Sequence, residues 1–150
     1  MYNNYNLNYS YSHKKKLNIL IVDDDTKSSE LFKEILELNG YNVNTLDEGM
    51  KCISRCMKDK YDIIFLDYHI GDIDGADLAD CLKDVLKTKS LIYAYTGDSN
   101  PDIIKKCQDI GMNGALIKPI NINLINNIMK TIEQNVENNN NNNNKFNLWT

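Results

Sequence analysis

Residues 17–25 read LNILIVDDD, a short apolar run that ends in three consecutive acidic residues. A run of this length, apolar on both sides, is typical of a strand buried in a parallel sheet. Three later runs have the same form, and each has one polar residue at or just past its carboxyl end. These residues are Asp67 after YDIIFL, Thr96 after LIYAY and Lys118 after ALI. Because the carboxyl ends of parallel strands meet at one edge of an open sheet, we expect these polar side chains to lie together.

The segments between these runs predict helices, because their apolar residues recur at helical spacing or follow a capping Asn. The predicted helices cover residues 28–39, 48–58 and 75–86 and the stretches that begin after Asn100 and after Asn121. Residues 41–46 alternate weakly and predict an edge strand. Strands that alternate with helices of this length predict a parallel sheet with helices on both faces.

The bulk composition excludes several classes of function. The 150 residues suffice for one domain with its own core, and they carry a net charge of −4. A mildly acidic chain lacks the basic surface that binds nucleic acid or an anionic membrane, so neither is an expected partner. No apolar stretch approaches membrane-spanning length, and the N-terminal segment has no apolar core of a signal peptide. The sequence therefore predicts a soluble, cytoplasmic protein.

Both ends of the chain have a composition that does not support a packed core. Residues 1–16 are rich in Asn, Tyr and Ser, and residues 138–144 are an unbroken run of Asn. We therefore predict one domain over residues 17–134, flanked by disordered segments at residues 1–16 and 135–150. Phe146 and Trp149, near the end of the polar tail, are also compatible with a docking peptide.

Four cysteines lie inside apolar-periodic segments, at Cys52, Cys56, Cys81 and Cys107. A structural zinc site commonly uses two closely spaced pairs of Cys or His ligands. Cys52 and Cys56 can share a helix face, but no second pair completes such a site. Buried free thiols are therefore the preferred interpretation.

The polar residues predicted at the sheet edge favour phosphoryl chemistry. Several carboxylates placed together repel one another unless a cation lies among them. Neither Cys nor His stands at a strand end, so an all-oxygen site is expected, and oxygen ligands suit Mg²⁺. In such a site a carboxylate such as Asp67 can attack phosphorus, with the ammonium of Lys118 offsetting the charge that develops. The Thr96 hydroxyl can then donate a hydrogen bond to a phosphoryl oxygen.

Each of these residues also has a simpler interpretation. Asp25 is expected to do little more than cap the following helix, whereas Asp23 and Asp24 face the metal. Asp67 and Thr96 could be turn residues, and Lys118 could lie on the surface. The hypothesis of a shared site depends on all of them falling at one edge of the same sheet.

At these positions the sequence resembles the receiver domain of two-component response regulators, over residues 17–134. The motifs that carry the resemblance are IVDDD at residues 21–25, FLD at 65–67, DG at 74–75, YTG at 95–97 and IKP at 117–119. The stretch at residues 111–114 further resembles the receivers of hybrid sensor kinases.

The resemblance implies a flavodoxin-like (βα)5 fold with a five-stranded parallel sheet in the order 2-1-3-4-5. It implies that Asp67 is the phosphoacceptor and that Thr96 and Lys118 are the switch hydroxyl and the phosphate-facing lysine. It also implies Mg²⁺ held by Asp23, Asp24, Asp67 and the backbone carbonyl of His69. The implied partner is a histidine kinase or a histidine phosphotransfer protein, and the implied state is a monomer or a weak homodimer.

Three features depart from the family pattern. Ile70 and Gly71 replace the usual Met-Pro after the phosphoacceptor. Ala115 occupies the switch position that usually carries an aromatic residue, so the usual ring movement cannot run through it, and Tyr93 or Tyr95 are the candidate substitutes. The tail after Gln134 is too short and too polar to fold as an output domain, so the receiver is expected to stand alone.

Three functions remain open at this point. The leading hypothesis is a phosphoryl-accepting receiver, a signalling module whose own chemistry is limited to self-phosphorylation and autodephosphorylation. The second is a receiver-like adaptor that binds a partner without phosphorylation-dependent switching, which Gly71 and Ala115 motivate. The third is a phosphatase of the dehalogenase type, whose motif is Asp-x-Asp-x-Thr/Val. Here Lys27 occupies the last position of that motif, in place of Thr or Val.

Overall fold

The computed structural model describes residues 16–137 and 147–149. The predictions of disorder for residues 1–15, 138–146 and 150 fall outside these ranges. The strands are β1 (Asn18–Val22), β2 (Asn42–Leu46), β3 (Ile63–Leu66), β4 (Leu91–Thr96), β5 (Gly114–Ile117) and β6 (Leu148–Trp149). The α-helices are α1 (Thr26–Leu38), α2 (Gly49–Lys58), α3 (Gly75–Asp80), α4 (Pro101–Ile110) and α5 (Ile122–Glu137), and a π-helical turn at Cys81–Val85 extends α3.

The strands form one sheet in the order β2-β1-β3-β4-β5-β6, with every described pair parallel. The first five positions confirm the predicted flavodoxin-like order 2-1-3-4-5. Parallel neighbours require crossover connections, which the helices supply. All strand carboxyl ends therefore point to the same edge of the sheet.

Two apolar layers cover the two faces of the sheet, because alternate residues of each strand point to opposite sides. In β1, Ile19 and Ile21 face one layer, whereas Leu20 and Val22 face the other. The first layer is covered by α1 and α5. The second is covered by α2, α3 and α4. Strands buried on both faces explain the uninterrupted apolar runs in the sequence.

The helix starts follow the capping residues seen in the sequence. Asp25 Oδ1 accepts a hydrogen bond from Ser28 N at the start of α1. Asn100 caps α4, which begins at Pro101. Asn121 Oδ1 accepts from Leu124 N at the start of α5. These caps satisfy amide groups that have no partner inside the helix.

The structure shifts several predicted boundaries, two of them by three residues or more. The helix predicted over residues 75–86 is α-helical only to Asp80 and widens into the π-helical turn, where Leu86 N donates to Cys81 O. Helix α5 extends past residue 134 to Glu137. Within the tail predicted as disordered, Leu148–Trp149 forms β6, because its backbone pairs with the edge of β5 and its two side chains pack on the apolar layers.

The four cysteines are free thiols, as predicted. Cys52 and Cys107 are buried, whereas Cys56 and Cys81 are only half-buried. In the described part of the chain, no helix is both long enough and apolar enough to cross a bilayer.

Candidate functional site at the carboxyl edge of the sheet

Three charged side chains from the ends of three different strands meet at the carboxyl edge of the sheet. Asp23 follows β1, Asp67 follows β3 and Lys118 follows β5. The Nζ atom of Lys118 lies 2.7 Å from Oδ2 of Asp23 and 3.1 Å from Oδ2 of Asp67. Because β1 lies beside β3 in the sheet, one ammonium can contact both carboxylates.

Asp24 completes a group of three carboxylates with Asp23 and Asp67. One oxygen from each side chain lies within 4.8 Å of the other two. Asp23 and Asp67 are buried, whereas Asp24 is exposed, so the group opens to solvent on one side. Oxygen atoms at this spacing fit a hard divalent cation such as Mg²⁺, which keeps several of its waters.

Backbone amides fix the other oxygen of each buried carboxylate. Oδ1 of Asp23 accepts from Asp25 N at 2.9 Å, and Oδ1 of Asp67 accepts from His69 N at 3.1 Å. Each carboxylate therefore has one oxygen held by the backbone and one directed at Lys118. This arrangement restricts the rotation of both side chains.

The electrostatics of the site follow from burial and from these contacts. Burial raises the pKa of Asp23, and the bond from Lys118 only partly offsets it. Burial alone would lower the pKa of Lys118, but its contacts with Asp23 and Asp67 outweigh burial and raise that pKa. Lys118 is therefore held as an ammonium, and a divalent cation would also stabilise the charged form of Asp23.

Thr96 lies at the end of β4, beside this group. It is 1% exposed, and its Oγ1 accepts a hydrogen bond from Asp98 N at 3.2 Å. Its carbonyl oxygen accepts from Lys118 N at 2.9 Å. The backbone of Thr96 therefore fixes the position at which Lys118 leaves the sheet.

Tyr95 contributes to the site in a way that the sequence pattern did not reveal. Its ring centroid lies 4.6 Å from Lys118 Nζ, and its hydroxyl lies 2.8 Å from Ser28 Oγ on α1. An ammonium over an aromatic face is a favourable electrostatic contact. The signal available in the sequence was an aromatic residue directly before Thr96, and its direction could be known only once the sheet was built.

A second unpredicted contact joins the two loops above the site. Nε2 of His69 lies 2.9 Å from Oδ2 of Asp98, and the bond from His69 lowers the pKa of that carboxyl group. His69 is largely exposed. The contact connects the loop after β3 with the loop after β4, so these loops are not independent.

Two glycines near the acidic group differ in their steric role. A Cβ built on Gly75 would overlap the carbonyl oxygen of Asp67 and lie 2.7 Å from Tyr68 Cα, so no larger residue fits there. A Cβ on Gly71 would lie 3.6 Å from Asp24 Oδ2, an ordinary contact. Gly75 is therefore required by packing, whereas Gly71 leaves room beside the carboxylates.

Ala115 lies in the middle of β5 and is fully buried. Its β-carbon faces the layer formed with α3 and α4. In register it lies between Ala94 of β4 and Trp149 of β6. The aromatic ring beside this position therefore belongs to the tail strand, on the side of Ala115 away from β4.

A family model described as the response regulator receiver domain matches residues 19–130. This range contains all of the strand-end residues of the site. It leaves out β6 and the end of α5.

Curated relatives and a solved structure give the same picture. Sensor histidine kinase AruS of Pseudomonas aeruginosa is 28% identical over 107 residues, which are 69% of this chain and 11% of that kinase. Hybrid signal transduction histidine kinase C of Dictyostelium discoideum is 29% identical over 136 residues, or 86% of this chain and 11% of the kinase. The chain thus spans about a tenth of these relatives. A two-component response regulator from Clostridium difficile superposes with a TM-score of 0.76 at 27% identity, covering 81% of this chain and 98% of that one.

Proposed function

The chain belongs to the family of response regulator receiver domains, and on that premise we propose that Asp67 accepts a phosphoryl group from a phosphohistidine partner. The family places the chain in two-component signalling, as a signalling module and not as a classical enzyme. The observation that carries the proposal is the contact of Lys118 with both Asp23 and Asp67.

Asp67 is suited to act as the nucleophile. One of its oxygens is held by the amide of His69, and the other points to the ammonium of Lys118. In the transfer, a carboxylate oxygen of Asp67 forms a bond to phosphorus while the bond from phosphorus to the partner's imidazole nitrogen breaks. The electron pair of that bond returns to the imidazole, so the step needs no further reactant.

The acidic group fits Mg²⁺, the ion that receiver domains bind at their acidic pocket. We propose that Asp23, Asp24, Asp67 and the backbone carbonyl of His69 hold it, which is the assignment that the family motifs carry. When bound, the ion supplies positive charge that offsets the oxygens of the transferred group.

Lys118 and Thr96 complete the proposed site from β5 and β4. Lys118 is held as an ammonium by its two carboxylate contacts, and it would exchange one of them for a phosphoryl oxygen. The Thr96 hydroxyl at present accepts a bond from Asp98 N. It retains a proton to donate to a phosphoryl oxygen, so it can respond to the phosphate.

The proposed donor is a histidine kinase or a histidine phosphotransfer protein. Small acyl phosphates are expected to serve as well, because the receiver supplies the catalytic groups and needs only an activated phosphoryl group.

The test is to incubate the protein with Mg²⁺ and acetyl phosphate and to measure phosphate that hydroxylamine releases. Asp67→Asn is the inactive control, and Asp98→Asn is the matched control, because it removes a carboxylate near the site that is not proposed to bind metal or phosphate. We expect labelling of the wild type and of Asp98→Asn, and none of Asp67→Asn. Unlabelled wild-type protein would overturn the proposal.

A receiver-like adaptor is the second candidate, because Ala115 offers no ring that could move with Thr96. An adaptor would bind its partner equally well with and without beryllofluoride, a mimic of the phosphoryl group. A change in affinity of about tenfold, which corresponds to about 1.4 kcal/mol of coupling, would exclude it.

A further inference from the structure

The strand β6 occupies the edge of β5 through a small set of specific contacts. Leu148 N donates to Asn113 O at 2.7 Å, and Asn113 Nδ2 lies 3.4 Å from Asn147 Oδ1. The Oδ1 atom of the same side-chain amide accepts a hydrogen bond from Ile92 N at 2.9 Å. Asn113 thus bridges β4 and the tail strand.

Gly114 makes this approach possible. It pairs in register with Leu148, and a Cβ built on it would overlap the carbonyl oxygen of Leu148. Backbone atoms cannot move aside as a flexible side chain can, so any larger residue at position 114 conflicts with the docked strand.

The two side chains of β6 contact opposite layers of the core. Leu148 packs against the layer that contains α1 and α5, and Trp149 packs against the layer that contains α3 and α4. Both side chains are half-buried. A strand that places one apolar residue on each face of a sheet is recognised through its backbone and through both side chains, as in strand addition by peptides.

We infer that the edge of β5 is a strand-binding site and that residues 147–149 of this chain are its tethered ligand. The docked strand closes the edge to strands from other chains. An open edge presents unpaired amides and carbonyls and invites such pairing. The occupant is the chain's own tail, because Leu148 and Trp149 pair in register with Gly114 and Ala115 and pack on both core layers at once. This inference is independent of the phosphoryl chemistry proposed above.

Trp149 provides a direct readout, because the chain contains one tryptophan. In the full chain we expect its emission to be shifted to the blue and quenched by acrylamide severalfold less than in a free peptide of residues 145–150. Gly114→Ala should remove this protection, and Gly97→Ala is the matched control, because a Cβ on Gly97 meets nothing within 4 Å. Quenching equal to that of the free peptide in the wild type would overturn the inference.

A second variant separates the docked strand from general effects on folding. Leu148→Pro removes the amide that donates to Asn113 O and should release the strand while the rest of the chain stays folded. A Cβ on Gly114 would also lie 3.0 Å from Tyr93 Cδ1, so Gly114→Ala is expected to reduce stability to some extent even without the tail. Gly114→Ala should lower the free energy of unfolding more in the wild-type background than in the Leu148→Pro background. Equal losses in the two backgrounds would contradict the role of the tail.

Closure of the edge is tested with a fluorescently labelled peptide of residues 145–150. A tether supplies an effective concentration of about 1 mM, so a tail that stays docked requires a free-peptide Kd of about 0.1 mM or tighter at the open edge. Leu148→Pro should then bind the peptide about tenfold more tightly than the wild type. Equal binding would show that the edge is not closed by the tail. Protection of Trp149 that increases with protein concentration would show exchange of the strand between copies and would overturn the intramolecular assignment.

Discussion

The ammonium of Lys118 lies 2.7 Å from Oδ2 of Asp23, although the two residues are 95 positions apart in the sequence. The contact joins the carboxyl end of the first strand to that of the fifth strand. It also places a fixed positive charge against two of the three carboxylates that fit a divalent cation. The lysine therefore contacts two of the three carboxylates that are proposed to hold the ion.

Replacing Lys118 by Met should strengthen Mg²⁺ binding and weaken phosphoryl acceptance. Removal of the ammonium removes a charge that repels the ion, an effect of about 1 kcal/mol, or about fivefold in Kd, in a partly solvated site. Isothermal titration calorimetry measures the first effect and labelling by acetyl phosphate the second. Lys51→Met is the control, since Lys51 forms exposed ion pairs with Asp47 and Glu48 and not with these carboxylates. Weaker Mg²⁺ binding by Lys118→Met would contradict the shared site.

Tyr95→Phe and Ser28→Ala should each lower the free energy of unfolding by about 1 kcal/mol, because each removes the same hydrogen bond. The double variant should lose little more than either single variant. Urea unfolding measures the coupling in a double-mutant cycle. Tyr41→Phe, which removes a hydrogen bond to Glu133, is the control. The losses in unfolding free energy from Tyr41→Phe and Ser28→Ala should be additive. Additive losses for Tyr95 and Ser28 would show that the bond is not formed.

Gly75→Ala should destabilise the fold, although Ala is the better residue in most helices. The added Cβ would overlap the carbonyl of Asp67, a residue whose amide is bonded to Val22 O of β1, so a loss of about 1–3 kcal/mol is expected. Gly97→Ala is the control and should stay within about 0.5 kcal/mol of the wild type. A neutral Gly75→Ala would mean that the loop after β3 can shift away from α3.

Asp72 caps α2 from a different loop, since its carboxylate accepts from Gly49 N at 2.9 Å and from Met50 N at 3.0 Å. Both bonds lower the pKa of Asp72, and the bond from Met50 N has the larger effect. The stabilisation is therefore present above the pKa of the unfolded chain, about 3.9, and is lost as the pH falls through the lower pKa of the folded state.

Asp72→Ala should therefore lower the free energy of unfolding by about 0.5–1 kcal/mol at pH 7, a small loss because Asp72 is exposed to solvent. This loss should shrink as the solution is acidified below about pH 4. Urea unfolding at a series of pH values measures it. Asp72→Asn keeps an acceptor oxygen without the titrating group, so it should lose less than Asp72→Ala at pH 7. A cost for Asp72→Ala that grows on acidification would contradict the capping role.

The arrangement of the sheet could be predicted from the sequence because the relevant signals are local. Apolar runs marked the strands, and acids or a capping Asn marked the helix starts. Parallel topology then placed Asp23, Asp67 and Lys118 at one edge without any knowledge of side-chain positions. The same reasoning separated Asp25, which caps α1, from Asp23 and Asp24.

The features that the sequence did not reveal depend on contacts between distant segments. The cap supplied by Asp72, the pair of His69 with Asp98 and the contact of Ser28 with Tyr95 each join two elements. Trp149 suggested a docking peptide, but the strand β6 itself was not predicted, for a related reason. Its two residues lie after a long polar run, and their pairing depends on Gly114, where the absence of a side chain leaves no periodic signal.

The most direct test of the proposed function is the mass of the intact protein after incubation with acetyl phosphate. With Mg²⁺ present we predict the addition of one phosphoryl group, which peptide mapping after borohydride reduction places on Asp67. Chelation of Mg²⁺, or Asp67→Asn, should abolish the addition. A wild-type protein that gains no phosphoryl group with Mg²⁺, or gains it equally in Asp67→Asn, would contradict the assignment of Asp67 as the phosphoacceptor.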